Sequence, residues 1–234
     1  MEPPKISVIL PTRNEEAAIA RVLDEVHAAL RADGDYEILI VDTDSIDGTR
    51  EIAAARGARV IREPRRGYGR AYKTGFREAR GIIVATLDAD LTYPPDRIPA
   101  GVAAIDSGAA DFVSGDRLSG RHPPTMSGMH LVGNAILNRA FQILFGVPIR
   151  DSQSGMWVFR RSLLDGLELL HDGMAFSEEL KLEVIRHGAH FREIPIVYRE
   201  RVGEMKIRSV RDAAANLLWL FRKRAGWVPR RSAD

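Results

Sequence analysis

Ile82-Ile83-Val84-Ala85-Thr86-Leu87-Asp88-Ala89-Asp90 is an apolar run that ends on two carboxylates. Runs of this kind mark parallel strands buried on both faces, and open α/β sheets collect their ligands beyond the carboxyl ends of such strands. Carboxylates two apart on an extended segment point the same way. A hard cation that keeps most of its waters, Mg²⁺ or Mn²⁺, needs only one or two of them plus phosphate oxygens from a substrate. The competing reading is a turn cluster ahead of Tyr93-Pro94-Pro95.

Upstream of this run, strands and helices alternate. Ile6 to Leu10 reads as a strand, and Glu15 to Arg31 as a helix with Ile19, Val22, Leu23, Val26 and Leu30 at helical spacing. Strands at Tyr36 to Val41 and Ala58 to Ile61 alternate with helices at Thr49 to Arg56 and Gly69 to Ala79, and Gly81 to Leu87 is the strand that delivers the Asp pair. The pattern predicts an α/β fold with a mostly parallel, Rossmann-like sheet, right-handed crossovers and flanking helices. Downstream it loosens into a helix at Ile98 to Ser107, a strand at Asp111 to Ser114, a polar loop from Asp116 to Ser127 and an apolar helix from Met129 to Phe145. A turn at Asp151 to Gly155, a strand at Met156 to Arg160, a helix at Ser177 to His187, a strand at Arg192 to Tyr198 and a helix at Val210 to Arg224 follow. Without repeats or a linker, residues 1–234 read as one domain: a nucleotide-binding half (1–95), an acceptor half (96–206) and a basic amphipathic tail (207–234).

The 234 residues, 45% of them hydrophobic, suffice for a packed core and exclude disordered and fibrous classes. The absence of cysteine removes disulfides, thiolate metal sites and a cysteine nucleophile. No stretch approaches the roughly 18 uninterrupted apolar residues of a membrane span, and the start of the chain lacks a secretion signal. The expectation is therefore a protein on the cytoplasmic side, soluble or peripheral. The net charge of +2 conceals a basic tail: residues 204–234 carry eight Lys or Arg against three acids. Such a tail suits anionic membrane or substrate, and no recognition motif favours nucleic acid.

Three polar clusters follow strands of the front half: Pro11-Thr12-Arg13-Asn14-Glu15, Asp42-Thr43-Asp44-Ser45-Ile46-Asp47-Gly48-Thr49, and Asp88/Asp90. They converge on one sheet edge. Asp42, placed directly after a buried strand, can accept hydrogen bonds from a base or ribose, whereas Asp47-Gly48-Thr49 also fits a turn that starts a helix. A Gly-x-Gly-x-x-Gly after the first strand and a P-loop are both missing, which weakens dinucleotide oxidoreductase and NTPase readings. Gly67-Tyr68-Gly69 is a weak phosphate-loop signal that also fits a turn.

Together, Ser7 to Glu15, Asp47-Gly48-Thr49, Gly67 to Ala71 and Leu87 to Leu91 resemble family 2 glycosyltransferases. Ser114-Gly115-Asp116-Arg117, Asp151 to Gly155, Phe176-Ser177-Glu178-Glu179, Glu193-Ile194-Pro195-Ile196 and Arg201 to Lys206 resemble the dolichyl-phosphate mannose or glucose synthase branch. The resemblance implies a GT-A fold, a nucleotide-sugar donor of the GDP-mannose or UDP-glucose type, Mg²⁺ or Mn²⁺, and inverting transfer of a hexose to polyprenyl (dolichyl) phosphate. It places Pro11, Arg13, Glu15, Val41, Asp42 and Thr43 on the nucleotide. Arg13 stands where Tyr is frequent, and Thr43 where an Asp commonly reads the base. Asp88, Ala89 and Asp90 fall on the metal and ribose-diphosphate motif, with Thr92 near the metal. Arg117, Arg201 and Lys206 fall on phosphate-facing positions, where arginine forks match phosphate oxygens.

A phosphate acceptor is already ionised at neutral pH and needs no general base, so Asp90, Arg201 and Lys206 would carry the chemistry with the metal. A sugar-hydroxyl acceptor would require a base, with Asp151 or Glu179 as candidates. Two alternatives stay open: a family 2 enzyme with a soluble saccharide or small-molecule acceptor, and a catalytically silent nucleotide-sugar-binding protein. The C-terminal helix presents Val210, Ala214, Leu217 and Phe221, with Leu218 beside them, among basic residues. That pattern fits a membrane surface or packing against the body.

Overall fold

The computed structural model describes residues 3–32, 34–119, 126, 128–203 and 209–226, the side chains of 209–212 excepted. Lys206, the side chain of Val210 and the loop residues 120–125 therefore fall outside any structural account. Seven strands, β1 (Ile6–Thr12), β2 (Tyr36–Asp42), β3 (Arg59–Arg62), β4 (Ile83–Thr86), β5 (Phe112–Asp116), β6 (Trp157–Arg160) and β7 (Phe191–Pro195), form one sheet in the order β3-β2-β1-β4-β6-β5-β7. The helices are α1 (Glu16–Leu30), α2 (Thr49–Ala55), α3 (Tyr68–Glu78), α4 (Ile98–Asp106), α5 (Gly128–Phe145), α6 (Phe176–Arg186) and α7 (Ser209–Gly226).

The front strands are parallel: β1 pairs with β2 and with β4, and β2 with β3. β6 departs from the parallel expectation. It runs antiparallel to both β4 and β5, and so splices the back half into the sheet of the front half. Antiparallel insertion needs no crossover helix, so the apolar run at 156–160 carried no sign of its direction.

Alternation along the strands feeds two cores. Val8, Leu10, Ile38, Ile40, Ile83 and Ala85 pack with the buried stripe of α1, Ile19, Val22, Leu23, Val26 and Leu30. Ile9, Leu39, Val41 and Val84 point to the other face, against Tyr72 and Phe76 of α3, Phe176 and Leu180 of α6, and Trp157. A third cluster joins Leu137, Phe141 and Phe145 of α5 to Leu182 and to Leu220 of α7. Both faces of the sheet are thus covered, as buried parallel strands require.

The chain order reverses at β1, which lies between β2 and β4, and the loops leaving these three strands meet at the carboxyl edge. Each of these loops holds one non-glycine residue in the left-handed region: Asn14 at φ 50°, Asp44 at φ 47° and Leu91 at φ 70°. Strained backbone of this sort persists only where its surroundings over-determine it. Here the first two loops are knitted together. Asn14 N donates to Ser45 Oγ at 2.9 Å, Ile46 N to Asn14 Oδ1 at 2.9 Å, and Glu15 N to Thr49 Oγ1 at 2.8 Å. Asp47 accepts from Glu16 N and from the Thr49 hydroxyl, the structural role of a turn that starts α2.

Candidate active site

At the switch point lies a cleft of about 330 Å³. Pro11, Thr12, Arg13, Glu15, Thr43, Asp88, Ala89, Asp90, Arg117 and Arg201 line it, joined by Arg66, Gly67, Tyr68, Ala71, Tyr93, Gln153, Met174 and Tyr198. Nine residues proposed from sequence therefore converge on one cavity. Three others take different places. Val41 is fully buried in the core beneath α3, on the face of β2 that it shares with Leu39, and does not line the cleft. Asp42, also fully buried, spends its carboxylate on Thr12 Oγ1 (3.2 Å), Ser45 N (3.1 Å) and Ser45 Oγ (2.5 Å), so it braces the loops rather than reaching a base or ribose. Thr92 donates from N (3.0 Å) and Oγ1 (2.5 Å) to Asp90 Oδ1, fixing that carboxylate rather than facing a metal itself.

The floor of the cleft is anionic. Burial, and then the neighbouring Asp90, push the Asp88 pKa up to about 7 against the pull of Arg201 and Arg117. Two carboxylates so crowded are what a hard divalent cation would relieve. Among the described residues no trio of His, Asp or Glu assembles into a cage. A cation held by Asp88 and Asp90 would thus complete its shell from phosphate oxygens and water, which fits Mg²⁺ or Mn²⁺.

Over the carboxylates lies Arg201. Its Nη2 stands 3.2 Å from Asp90 Oδ2 and 3.8 Å from Glu15 Oε1. The segment that carries it is stitched down by backbone bonds: Ile196 N to Asp116 O, Arg199 N to Thr92 O, and Val202 N to Asp90 O, all 2.9–3.0 Å. β7 therefore ends at Pro195 instead of running on to Tyr198, since from Ile196 the chain leaves β5 and crosses the carboxylate loop.

Arg117 meets Asp151 in a fork: Nε to Oδ2 at 2.7 Å and Nη2 to Oδ1 at 2.8 Å. Arg117 N (3.0 Å) and Gln153 N (3.2 Å) complete four hydrogen bonds to that carboxylate. Burial alone would raise the Asp151 pKa, but the Arg117 guanidinium overrides it and holds the carboxyl below its ordinary value. A carboxylate both saturated and acidified is a poor proton acceptor, so the general-base role considered for Asp151 does not fit. Glu179, the other candidate, accepts from His171 N at 2.7 Å and lies 3.7 Å from the Lys223 ammonium.

Aromatic walls were not anticipated. Tyr93 and Tyr198 meet edge-on at 5.4 Å between centroids, the Arg117 guanidinium lies 5.3 Å over the Tyr198 ring, and the Tyr93 hydroxyl accepts from Gly155 N at 2.8 Å. Their positions three residues after Asp90 and three before Arg201 were the only signal. Gly69 settles the Gly-Tyr-Gly question: a Cβ there would lie 2.5 Å from His171 O and 2.6 Å from Phe176 Cβ, so this glycine serves close packing.

A mostly parallel sheet bearing a carboxylate pair at its switch point, in a cleft walled by arginines, is the GT-A architecture. Solved structures agree on the fold: glucosyl-3-phosphoglycerate synthase from Mycobacterium tuberculosis, in complex with Mn²⁺, UDP and glucosyl-3-phosphoglycerate, superposes with a TM-score of 0.75 at 23% identity, covering 97% of this chain and 82% of that one. Residues 7–167 match the description Glycosyl transferase family 2. The chain belongs to that family, and it is a glycosyltransferase. Relatives in Haloferax volcanii include the low-salt glycan biosynthesis hexosyltransferase Agl6, 35% identical over 96% of this chain and 55% of the relative. A dolichyl-phosphate hexose transferase of the same organism is 36% identical over 90% of each chain. The chain thus spans about half the length of the first and nearly all of the second.

Proposed function

We propose that this protein transfers a hexose, with inversion, from a nucleotide sugar of the GDP-mannose or UDP-glucose type to polyprenyl (dolichyl) phosphate. Mg²⁺ or Mn²⁺ would assist, and the protein would sit peripherally on the cytoplasmic face of a membrane. The observation that carries this reading is the state of the two candidate bases. With Asp151 saturated by Arg117 and Glu179 engaged by His171 N and Lys223, the site suits an acceptor that arrives ionised. A phosphate monoester is such an acceptor. Its oxygen forms the new bond to the anomeric carbon while the bond to the diphosphate oxygen breaks, and the nucleoside diphosphate leaves with the electron pair.

Asp88 and Asp90 would hold the metal, which supplies Lewis acidity at the departing diphosphate. Arg117 and Arg201 stabilise charge on the phosphates and orient them, and the tyrosine walls exclude water from the sugar. Lys206 is proposed to share in phosphate binding. The donor base is assigned to the pocket of Pro11, Arg13 and Thr43.

The lipid reading draws on an exposed apolar face. Met129, Val132, Ile136 and Ile143 project from α5, and Leu218 and Phe221 from α7, which packs alongside it. Arg139 and Arg222 are exposed on the same two helices. The C-terminal helix thus divides its apolar residues: Leu217 and Leu220 pack on the body, while Ala214, Leu218 and Phe221 face outward. No helix among the described residues is long and apolar enough to cross a membrane, so this face would lie in the interface.

Nucleoside diphosphate release, measured with UDP- and GDP-sugars, with and without divalent metal and a short polyprenyl phosphate, tests the proposal. Release that requires both metal and lipid phosphate is expected; release indifferent to the lipid phosphate would refute the acceptor. Leu218→Glu combined with Phe221→Glu should lower binding to anionic vesicles at least tenfold, read by co-sedimentation, while turnover of a short-chain acceptor in detergent holds. Unchanged sedimentation would remove α7 from the membrane contact.

A further inference from the structure

Helix α6 buries a lysine that the chemistry above does not use. Lys181 has no exposed surface, and its ammonium donates to the backbone carbonyl of Asp151 at 2.6 Å. Asp151 is thereby gripped from two sides, by Lys181 at its carbonyl and by the Arg117 fork at its carboxylate. The charges facing Lys181 are Asp151 and Arg117, Glu193 from β7, and Glu178 from its own helix. Lys223 of α7 is paired instead with Glu183, at 2.9 Å, and Glu179.

The local charge balance has a consequence for the cleft. Arg117 and Lys181 bring two positive charges to the single negative charge of Asp151. Glu193 is tied by the backbone amides of Arg150 and Asp151, and burial raises its pKa, as burial of Glu178 raises that group's much further. Of the two, Glu193 acts on the ammonium more strongly than Glu178.

We propose that Lys181 is a positioning residue which shares Asp151 with Arg117, so that the Arg117 guanidinium keeps an excess of positive charge toward phosphate groups bound in the cleft. The proposal rests on the phosphate-handling role given to Arg117 above. It extends that role to a buried cation, and the phosphate is that of the acceptor or of the nucleoside diphosphate.

Burial draws the Lys181 pKa down to about 8, with Asp151 and Glu193 opposing the shift. As pH rises through that value the trio passes from +1 to neutral, and phosphate binding weakens. The window is informative because phosphate monoesters, with a second pKa near 6, are already dianionic there.

The test follows two constants between pH 7 and 9.5: the dissociation constant of the nucleoside diphosphate with Mn²⁺, by calorimetry, and the KM for polyprenyl phosphate. In the unaltered protein at least one should rise roughly tenfold, the size of one charge acting across a poorly screened site, while kcat moves little. Lys181→Met, close in volume, should show the weakened value already at pH 7 and no further rise. A change confined to calorimetry assigns the effect to the donor diphosphate, and one confined to KM assigns it to the acceptor. Flat constants in the unaltered protein overturn the proposal whether or not the variant folds. A folded Lys181→Met with normal constants at pH 7 also overturns it. If polyprenyl phosphate provokes no release at all, the acceptor reading falls while the calorimetric arm still decides the role of Lys181.

Discussion

Asp90→Asn is expected to reduce turnover by roughly three orders of magnitude, the effect of losing several kcal/mol of charge stabilisation at a metal-held diphosphate. Asp90 serves the site twice: Oδ1 accepts from Thr92 N and Oγ1, and Oδ2 faces Arg201 at 3.2 Å. Asparagine can keep the first set of contacts and loses the charge that a metal and Arg201 require. Asp90→Ala should be equally inactive but less stable by about 1–3 kcal/mol, because it strands the buried Thr92 donors. The pair of variants separates the two duties. Turnover is read as metal-dependent nucleoside diphosphate release, stability by thermal or denaturant melting. Near-normal turnover in Asp90→Asn would remove this carboxylate from the metal site.

How much of this was legible in the chain depended on the range of the interactions. The alternation of apolar strands with helical stripes located every strand and α-helix to within about three residues at each end, since burial on one face or two is a local pattern. The convergence of Pro11–Glu15, Thr43 and Asp88–Asp90 was legible for a related reason: the ends of parallel strands share an edge by topology. What stayed hidden was pairing across the sequence. Nothing near Asp151 announces that Arg117, 34 residues away, will saturate it. Nothing near Asp42 shows that Ser45 and Thr12 will claim its carboxylate, although the two hydroxyls were in plain view. The antiparallel course of β6 is hidden in the same way, because strand direction is set by the connection and not by composition. The tyrosines that wall the cleft and the buried lysine of α6 carry no local signal of their place, and only packing between distant segments reveals it.

Asp151→Asn should mainly damage the fold, with a loss of about 3–5 kcal/mol, the cost of leaving a buried charge without its partner. Asp151 is fully buried, and Arg117 retains only 9% of its side-chain exposure. An amide cannot accept the fork on both atoms, and one of its N–H groups would face a guanidinium donor. A base role predicts the opposite pattern: normal stability and a lowered kcat. The double variant Asp151→Asn with Arg117→Met decides between them. Removing both charges takes away the uncompensated guanidinium, so the double variant should recover much of the stability lost in Asp151→Asn while remaining poor in phosphate binding. Additive losses in the double variant would mean that the fork contributes little, and that Asp151 stabilises the fold through its bonds to Gln153 N and Arg117 N alone. Recovery of stability without recovery of binding would establish the pair as the means by which a buried anion holds a cation in the wall of the cleft.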